Sequence, residues 1–255
     1  MGRVRMIPVL LLNKGGLYKT VGFKNARYVG DPINTVKIFN EKEADELLLL
    51  DFTASVQKRG PDFAKIAEIA GEAFMPMAYG GGIRNLDDAK KVFDSGFEKI
   101  VLNTILFDDI KLIEKIAAIY GAQAVVGCMD VKKNMFGKYR VYAYSGTKKT
   151  GYEPVDWAKQ IQNGGAGEII LNNIDKDGTW EGYGFDLISA VAHSIHIPLI
   201  ACGGAGTLDD FQKAVHAGAS AVAAGSMFVY QKKGMGVLIS FPSAFQLKST
   251  MPGNA

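Results

Sequence analysis

Short apolar, β-rich runs alternate along the chain with stretches whose apolar residues recur every three or four positions. The runs are Met6–Leu12, Glu46–Asp51, Pro76–Tyr79, Lys99–Asn103, Ala124–Asp130, Glu168–Asn173, Pro198–Cys202 and Ala221–Ala224, giving eight candidate strands. Helical spacing falls in Pro32–Glu43, Asp87–Ser95, Asp109–Tyr120, Val155–Asn163, Asp186–Ser194 and Leu208–Ala217. Strands separated by helices predict parallel βα units, because a parallel neighbour is reached only through a crossover.

The second half of the chain repeats the first at a shift of 122 residues, the spacing that separates Thr104 from Ser226. Gly81-Gly82 and Leu86-Asp87-Asp88 return as Gly203-Gly204 and Leu208-Asp209-Asp210; Pro32, Glu46 and Gly96 return as Pro154, Glu168 and Gly218. Eight strands in two copies of a (βα)4 unit close naturally into a (β/α)8 TIM barrel of the α/β class, whereas a doubly wound sheet gives no reason for a two-fold repeat. One barrel domain over residues 1–255 is expected, with halves near 1–121 and 122–240.

Two stretches read as insertions. Leu17–Gly30 has weak periodicity and suits a mobile loop over the active face. Lys132–Gly151, with the alternating Tyr139-Arg140-Val141-Tyr142-Ala143-Tyr144, suggests a small hairpin after strand five. Beyond Tyr230, Gly234, Gly236, Pro242 and Pro252 break any long amphipathic pattern, so the last helix should be short or missing.

With 48% hydrophobic and 22% charged residues, 255 positions are enough to bury a substantial core. A formal charge of +3 without a basic run or an aromatic-interleaved Lys/Arg patch gives nucleic-acid binding little support. Cys128 and Cys202 stand alone in apolar segments and form no Cys-x-x-Cys pair, so buried reduced thiols are expected, with no metal and no cofactor. The start, MGRVRMIPVLLL, reads as a first strand and not as a signal peptide, and no apolar run of membrane-spanning length follows, so a cytoplasmic protein is expected.

In a parallel barrel the strand carboxyl ends and their βα loops build the active face. Gly81-Gly82 follows the third strand and Asn103-Thr104 the fourth. Glycine lets backbone N–H groups approach an anion without an intervening side chain, and helix amino termini favour negative charge. The repeat supplies a second such pair, Gly203-Gly204 and Gly225-Ser226, half a barrel turn away. Single glycine loops often do no more than close tight turns. Four of them, with hydroxyls matched by symmetry, point to an elongated ligand with a phosphate at each end.

Asp130 closes the fifth strand and should face the mouth as a general acid or base, or else as a satisfied polar strand end. Aligning the two strand ends pairs it with Leu11, which can neither give nor take a proton. Asp177, followed by Gly178, either contacts a ligand or caps a turn, and Asn172 offers a neutral polar contact. At the opposite end, Arg5, Glu46, Lys99 and Glu168 stand at strand starts. They form either an internal ring of paired charges or a set of solvated ones.

Several segments together make the chain resemble the cyclase subunit of imidazole glycerol phosphate synthase, the HisF family: Gly30-Asp31-Pro32, Leu50-Asp51-Phe52-Thr53-Ala54, Gly80-Gly81-Gly82-Ile83-Arg84, Gly165-Ala166-Gly167-Glu168-Ile169, Ile174-Asp175-Lys176-Asp177-Gly178-Thr179 and Cys202-Gly203-Gly204-Ala205-Gly206. The resemblance implies a barrel that receives ammonia from a HisH-like glutaminase docked at the strand amino-terminal face. It also implies that Arg5, Glu46, Lys99 and Glu168 form the ammonia gate, and that the glycine loops hold the phosphates of a ribulose-linked bisphosphate. Lys19 then matches an active-face lysine and Asp130 one of two catalytic aspartates; Leu11 stands at the place of the other. Asn172-Asn173 also departs from the usual Thr-Ser, and Val237–Pro242 from a long final helix.

Strand one, the Gly-Leu-Tyr-Lys-Thr loop and the Leu-Ile-Ser-Phe-Pro tail resemble a HisF-like branch associated with amidation of surface-polysaccharide (lipopolysaccharide) sugars, whose members work with a glutaminase and a separate sugar amidotransferase. An ordinary cyclase subunit in histidine biosynthesis and a non-catalytic activator of the glutaminase are the competing readings.

Overall fold

The computed structural model describes residues 4–243 and Gln246. In chain order the elements are β1 (Arg5–Asn13), β2 (Gly16–Val21), β3 (Lys24–Gly30), α1 (Pro32–Glu41), β4 (Leu47–Asp51), α2 (Phe63–Ala70), β5 (Met77–Gly80), α3 (Leu86–Asp94) and β6 (Lys99–Leu102). A 3₁₀ turn (Thr104–Phe107), α4 (Leu112–Tyr120), a second 3₁₀ turn (Ala122–Ala124), β7 (Val125–Lys133), β8 (Tyr139–Ala143) and β9 (Lys148–Lys149) come next. The chain continues with α5 (Pro154–Asn163), β10 (Glu168–Asn173), α6 (Phe185–Ala192), β11 (Leu199–Cys202), α7 (Leu208–His216), β12 (Ala221–Ala224) and α8 (Ser226–Val229).

Parallel pairing runs β1-β4-β5-β6-β7-β10-β11-β12, and β12 returns to β1 with Arg5 opposite Ala221 and Pro8 opposite Ala224. The eight-stranded parallel barrel is therefore closed, as the alternation of strands and helices predicts. Local chemistry starts the helices where the pattern asks: Pro32 and Pro154 open α1 and α5, Asn85 caps α3, and Thr207 with Asp210 forms a capping box on α7.

Element bounds repeat at the same shift as the residues. β5, α3, β6 and the Thr104–Phe107 turn recur, displaced by 122, as β11, α7, β12 and α8. So do α1 as α5 and α2 as α6, since Phe63–Ala70 becomes Phe185–Ala192. Strand periodicity splits the apolar residues into two sets. One faces the helices and includes Leu10, Leu49, Ile100, Ile169 and Trp157; the other lines the barrel axis with Ile7, Val9, Leu48, Ala78, Val101, Val126, Cys128, Ile170, Ile200 and Ala223.

Three expectations need amendment. Leu17–Gly30, expected as a loop, is an antiparallel hairpin in which β2 pairs with both β1 and β3. Its alternation was hidden because an inward position is occupied by a lysine, the buried Lys19, and not by a hydrocarbon. Helix α2 was missed although its repeat, α6, was seen. The expected helix at Asp109 begins only at Leu112, after the 3₁₀ turn.

The hairpin after β7 forms as expected from β8 and β9, and α8 is short. Pro252 lies outside the described residues. Cys128 and Cys202 are buried free thiols. No helix among the described residues is long and apolar enough to cross a membrane.

Candidate active site

Inward side chains on β1 and β7 settle which residues oppose each other. Ile7, Val9 and Leu11 face the axis from β1, and Val126, Cys128 and Asp130 from β7. Those strands are four places apart in the ring of eight, hence opposite. Their hairpins agree: Leu11 pairs with Tyr18 on β2, and Asp130 with Tyr142 on β8.

At the strand carboxyl ends lies an open cavity, with about 1260 Å³ of empty space including the solvent at its mouth. It gathers every residue singled out for the active face: Leu11, Lys19, Gly81, Gly82, Asn103, Thr104, Asp130, Asn172, Asp177, Gly178, Gly203, Gly204, Gly225 and Ser226.

Both glycine loops run through positive φ. Gly81 and Gly82 have φ of 119° and 73°, and Gly203 and Gly204 have φ of 88° and 121°, a region in which a side chain is strained. A Cβ on Gly81 would also collide with the Asp51 carbonyl, and one on Gly204 with that of Gly182. Thr104 opens its 3₁₀ turn, whose Phe107 stacks on Trp157 at 4.5 Å and so fixes the loop. The Thr104 hydroxyl accepts from Tyr144 N at 3.1 Å, which leaves its proton free to donate.

Asp130 is buried and held by two amides: Asn103 Nδ2 donates at 2.8 Å and Asn172 Nδ2 at 3.2 Å. Burial pushes its carboxyl up to about 7, against these two donors, with the Asp177 charge adding to the rise. It can therefore exchange a proton near neutrality. Neither Asn103 Oδ1 nor Asn172 Oδ1 has a hydrogen-bond partner. Across the cavity stand Leu11 and Leu50, packed on the axial core.

The hairpin carries Lys19 into the cavity, where Nζ donates to Val9 O at 2.6 Å. Burial lowers its ammonium to about 8, although Asp177 works to raise it. Gly225 has no side chain because Lys19 Nζ occupies the space a Cβ would take. Asp177 does not close a local turn with its side chain. Its carboxylate accepts from the Thr20 hydroxyl at 3.0 Å and its carbonyl from Gly22 N at 2.9 Å, clasping the hairpin to the loop after β10. Thr20 and Ser145 line the cavity too. Both sit in inserted hairpins, and only pairing these with β1 and β7 reveals that they turn inward.

Asp51, another strand-end carboxylate, is occupied by Arg59 at 2.7 Å and by the Thr53 and Ala54 amides. At the floor, Arg5, Glu46, Lys99 and Glu168 form a closed ring of alternating sign. Arg5 binds Glu46 at 2.5 Å and Glu168 at 2.6 Å; Lys99 binds the same two at 3.1 and 3.2 Å. Burial opposes the Arg5 charge, but Glu168 and Glu46 outweigh it and raise its pKa. Of the two readings left open by the sequence, the internal ring is the one found. Between ring and cavity the axis is lined by apolar side chains, several of them small: Ala78, Ala221 and Ala223.

Residues 5–234 match the family model for histidine biosynthesis proteins. A Pseudomonas aeruginosa protein with the provisional name imidazole glycerol phosphate synthase subunit hisF2 is 47% identical over 251 residues, covering 97% of this chain and 99% of its own length. A Vibrio vulnificus protein, provisionally named as subunit hisF3, is 46% identical, with 98% and 96% covered. The imidazole glycerol phosphate synthase subunit HisF of Streptomyces avermitilis is 40% identical, with 88% and 90% covered. The chain thus belongs to the histidine biosynthesis protein family and, within it, to the HisF subunits of imidazole glycerol phosphate synthase.

Proposed function

We propose that this HisF-family barrel is the ammonia-receiving subunit of a cytoplasmic glutamine amidotransferase, with weakened or absent cyclase activity of its own. The observation that carries this reading is the closed four-charge ring lying under an apolar axis that ends at the buried carboxylate of Asp130. A ring of paired charges bars ions and passes a small neutral molecule when one pair parts. A HisH-like glutaminase docks on that floor, where Phe74 is 90% exposed in the loop before β5. Ammonia moves along the axis to the cavity, whose two glycine loops hold the ends of a bisphosphate.

Lys19 supplies positive charge beside Gly225, and Asp130, poised near neutrality by burial, moves the proton. Leu11 leaves the position opposite Asp130 without a carboxylate, so a reaction that needs two opposed carboxylates is slow here. The ammonia then serves another acceptor, and the resemblance of strand one and of the tail points to a nucleotide sugar handled by a separate amidotransferase in lipopolysaccharide biosynthesis.

The second reading, the cyclase subunit in histidine biosynthesis, is favoured by the 40% identity to a relative that bears the HisF name without a paralogue number. Complementation of a histidine auxotroph lacking its cyclase subunit separates the two. The first reading expects no growth without added histidine, and robust growth would overturn it as the sole role.

A further inference from the structure

The side-chain amide of Asn172 stands between two groups with opposite demands. Its Nδ2 donates to Asp130 Oδ1, while its Oδ1 is buried without a donor. That oxygen lies against the turn at Gly203, where a Cβ would come within 2.8 Å of it. The oxygen itself is buried, and Asn172 is 8% exposed. Gly203 and Gly204 form one of the loops read above as an anion site, and an anion there faces the negative end of the amide.

A half-turn of the amide exchanges oxygen and nitrogen within nearly the same volume. Nδ2 then faces the anion as a donor, and Oδ1 faces Asp130. Two acceptor oxygens at that separation repel unless the carboxyl carries a proton. We propose that Asn172 is a positioning residue that couples anion binding at the Gly203–Gly204 loop to protonation of Asp130. The empty site holds a carboxylate; the filled site holds an acid, with one proton taken from solvent and no other bond changed. This inference rests on the reading of that loop as an anion site.

Among the groups around Asp130, Lys19 titrates in the same range, its ammonium lowered to about 8 by burial, and its effect on anion affinity persists in Asn172→Leu, so the difference between parent and variant isolates the switch. Asn103, at the end of β6, donates to the second carboxylate oxygen in both states. Cys128 on β7 and Cys202 on β11 are thiols raised by burial, Cys202 to about 12, and stay neutral. Asp177 faces Lys19 and Thr20. β1 contributes Leu11, and β4 contributes Leu50 and Asp51, whose carboxylate is held by Arg59.

Sulfate is the probe, because its charge is constant from about pH 6.5 to 8.5, well above its own acid range. The full-length chain, labelled with ¹⁵N, is titrated with sodium sulfate at fixed ionic strength; the Gly204 amide reports this loop and the Gly82 amide the opposite one. The Kd at Gly204 should rise about tenfold across that pH range and the one at Gly82 less than twofold, as linkage to one proton at one site requires. Saturating sulfate should also create a cross-peak between the Asn172 NH₂ protons and Gly203 Hα.

In Asn172→Leu the pH dependence at Gly204 should shrink at least threefold. If that variant does not fold, the cross-peak in the unaltered chain decides alone. An unchanged pH dependence in Asn172→Leu, or an amide whose cross-peaks do not change at saturation, overturns the switch and leaves the anion site standing. No shift at Gly204 overturns both.

Discussion

Leu11 and Asp130 face one cavity from opposite strands of the barrel, each paired with a tyrosine on the hairpin that follows its strand. Equivalent positions in two halves of a repeated unit thus carry a hydrocarbon and a proton carrier. Both strands run on into an antiparallel hairpin, with a shorter turn after β1 than after β7.

The raised carboxyl of Asp130 makes stability depend on pH. Its folded pKa, about 7, lies above the ordinary value of 3.8, so the folded state binds the proton more tightly. Its contribution is present at low pH and is lost as pH rises from about 4 through 7. Asp130→Asn removes this term. The variant should gain stability relative to the parent between pH 5 and pH 8, by ~3 kcal/mol on the linkage relation. Urea melts at both pH values check it, and equal curves for parent and variant would contradict it.

Gly225 and Gly81 should answer the same substitution differently. In Gly225→Ala the new Cβ meets the far end of a flexible lysine, which swings away; at Gly81 it meets the Asp51 carbonyl in backbone that is already left-handed. Gly225→Ala should keep its melting temperature within a few degrees and lose about tenfold or more in phosphate affinity, the loss of one charged contact. Gly81→Ala should lose about 2 kcal/mol or more of stability through backbone strain. Thermal melts and phosphate calorimetry on both variants test the contrast.

Removing one member of the floor ring strands its partners. Arg5→Met leaves Glu46 and Glu168, 5% and 13% exposed, sharing Lys99 alone. With Arg5 itself 29% exposed, the cost is discounted for solvent screening to about 1–3 kcal/mol. Adding Glu168→Gln should restore part of it, and a double-mutant cycle by urea denaturation measures the coupling. Additive effects would show that the ring is not a unit.

The barrel was legible because strand and helix periods differ and because the chain states its plan twice. What escaped notice did so for local reasons. β2 carries Lys19 at an inward position, so its alternation reads as polar. Helix α2 has an Asp62 cap and a closing Gly71, and the shift that maps Gly81 onto Gly203 also maps Phe63–Ala70 onto α6. Among the site residues, the amide clamp on Asp130 was illegible: Asn103 and Asn172 are 69 positions apart, and only the parallel pairing of β6 and β10 on either side of β7 brings both to one carboxylate.

The most direct test of the account is the ammonia-dependent cyclase reaction, assayed with ammonium chloride and the ribulose-linked bisphosphate, for the parent chain and Leu11→Asp. A second carboxylate opposite Asp130 should raise a slow or undetectable rate by about 10²-fold or more, the usual worth of a positioned acid or base. Full turnover by the parent, unchanged by Leu11→Asp, would contradict it.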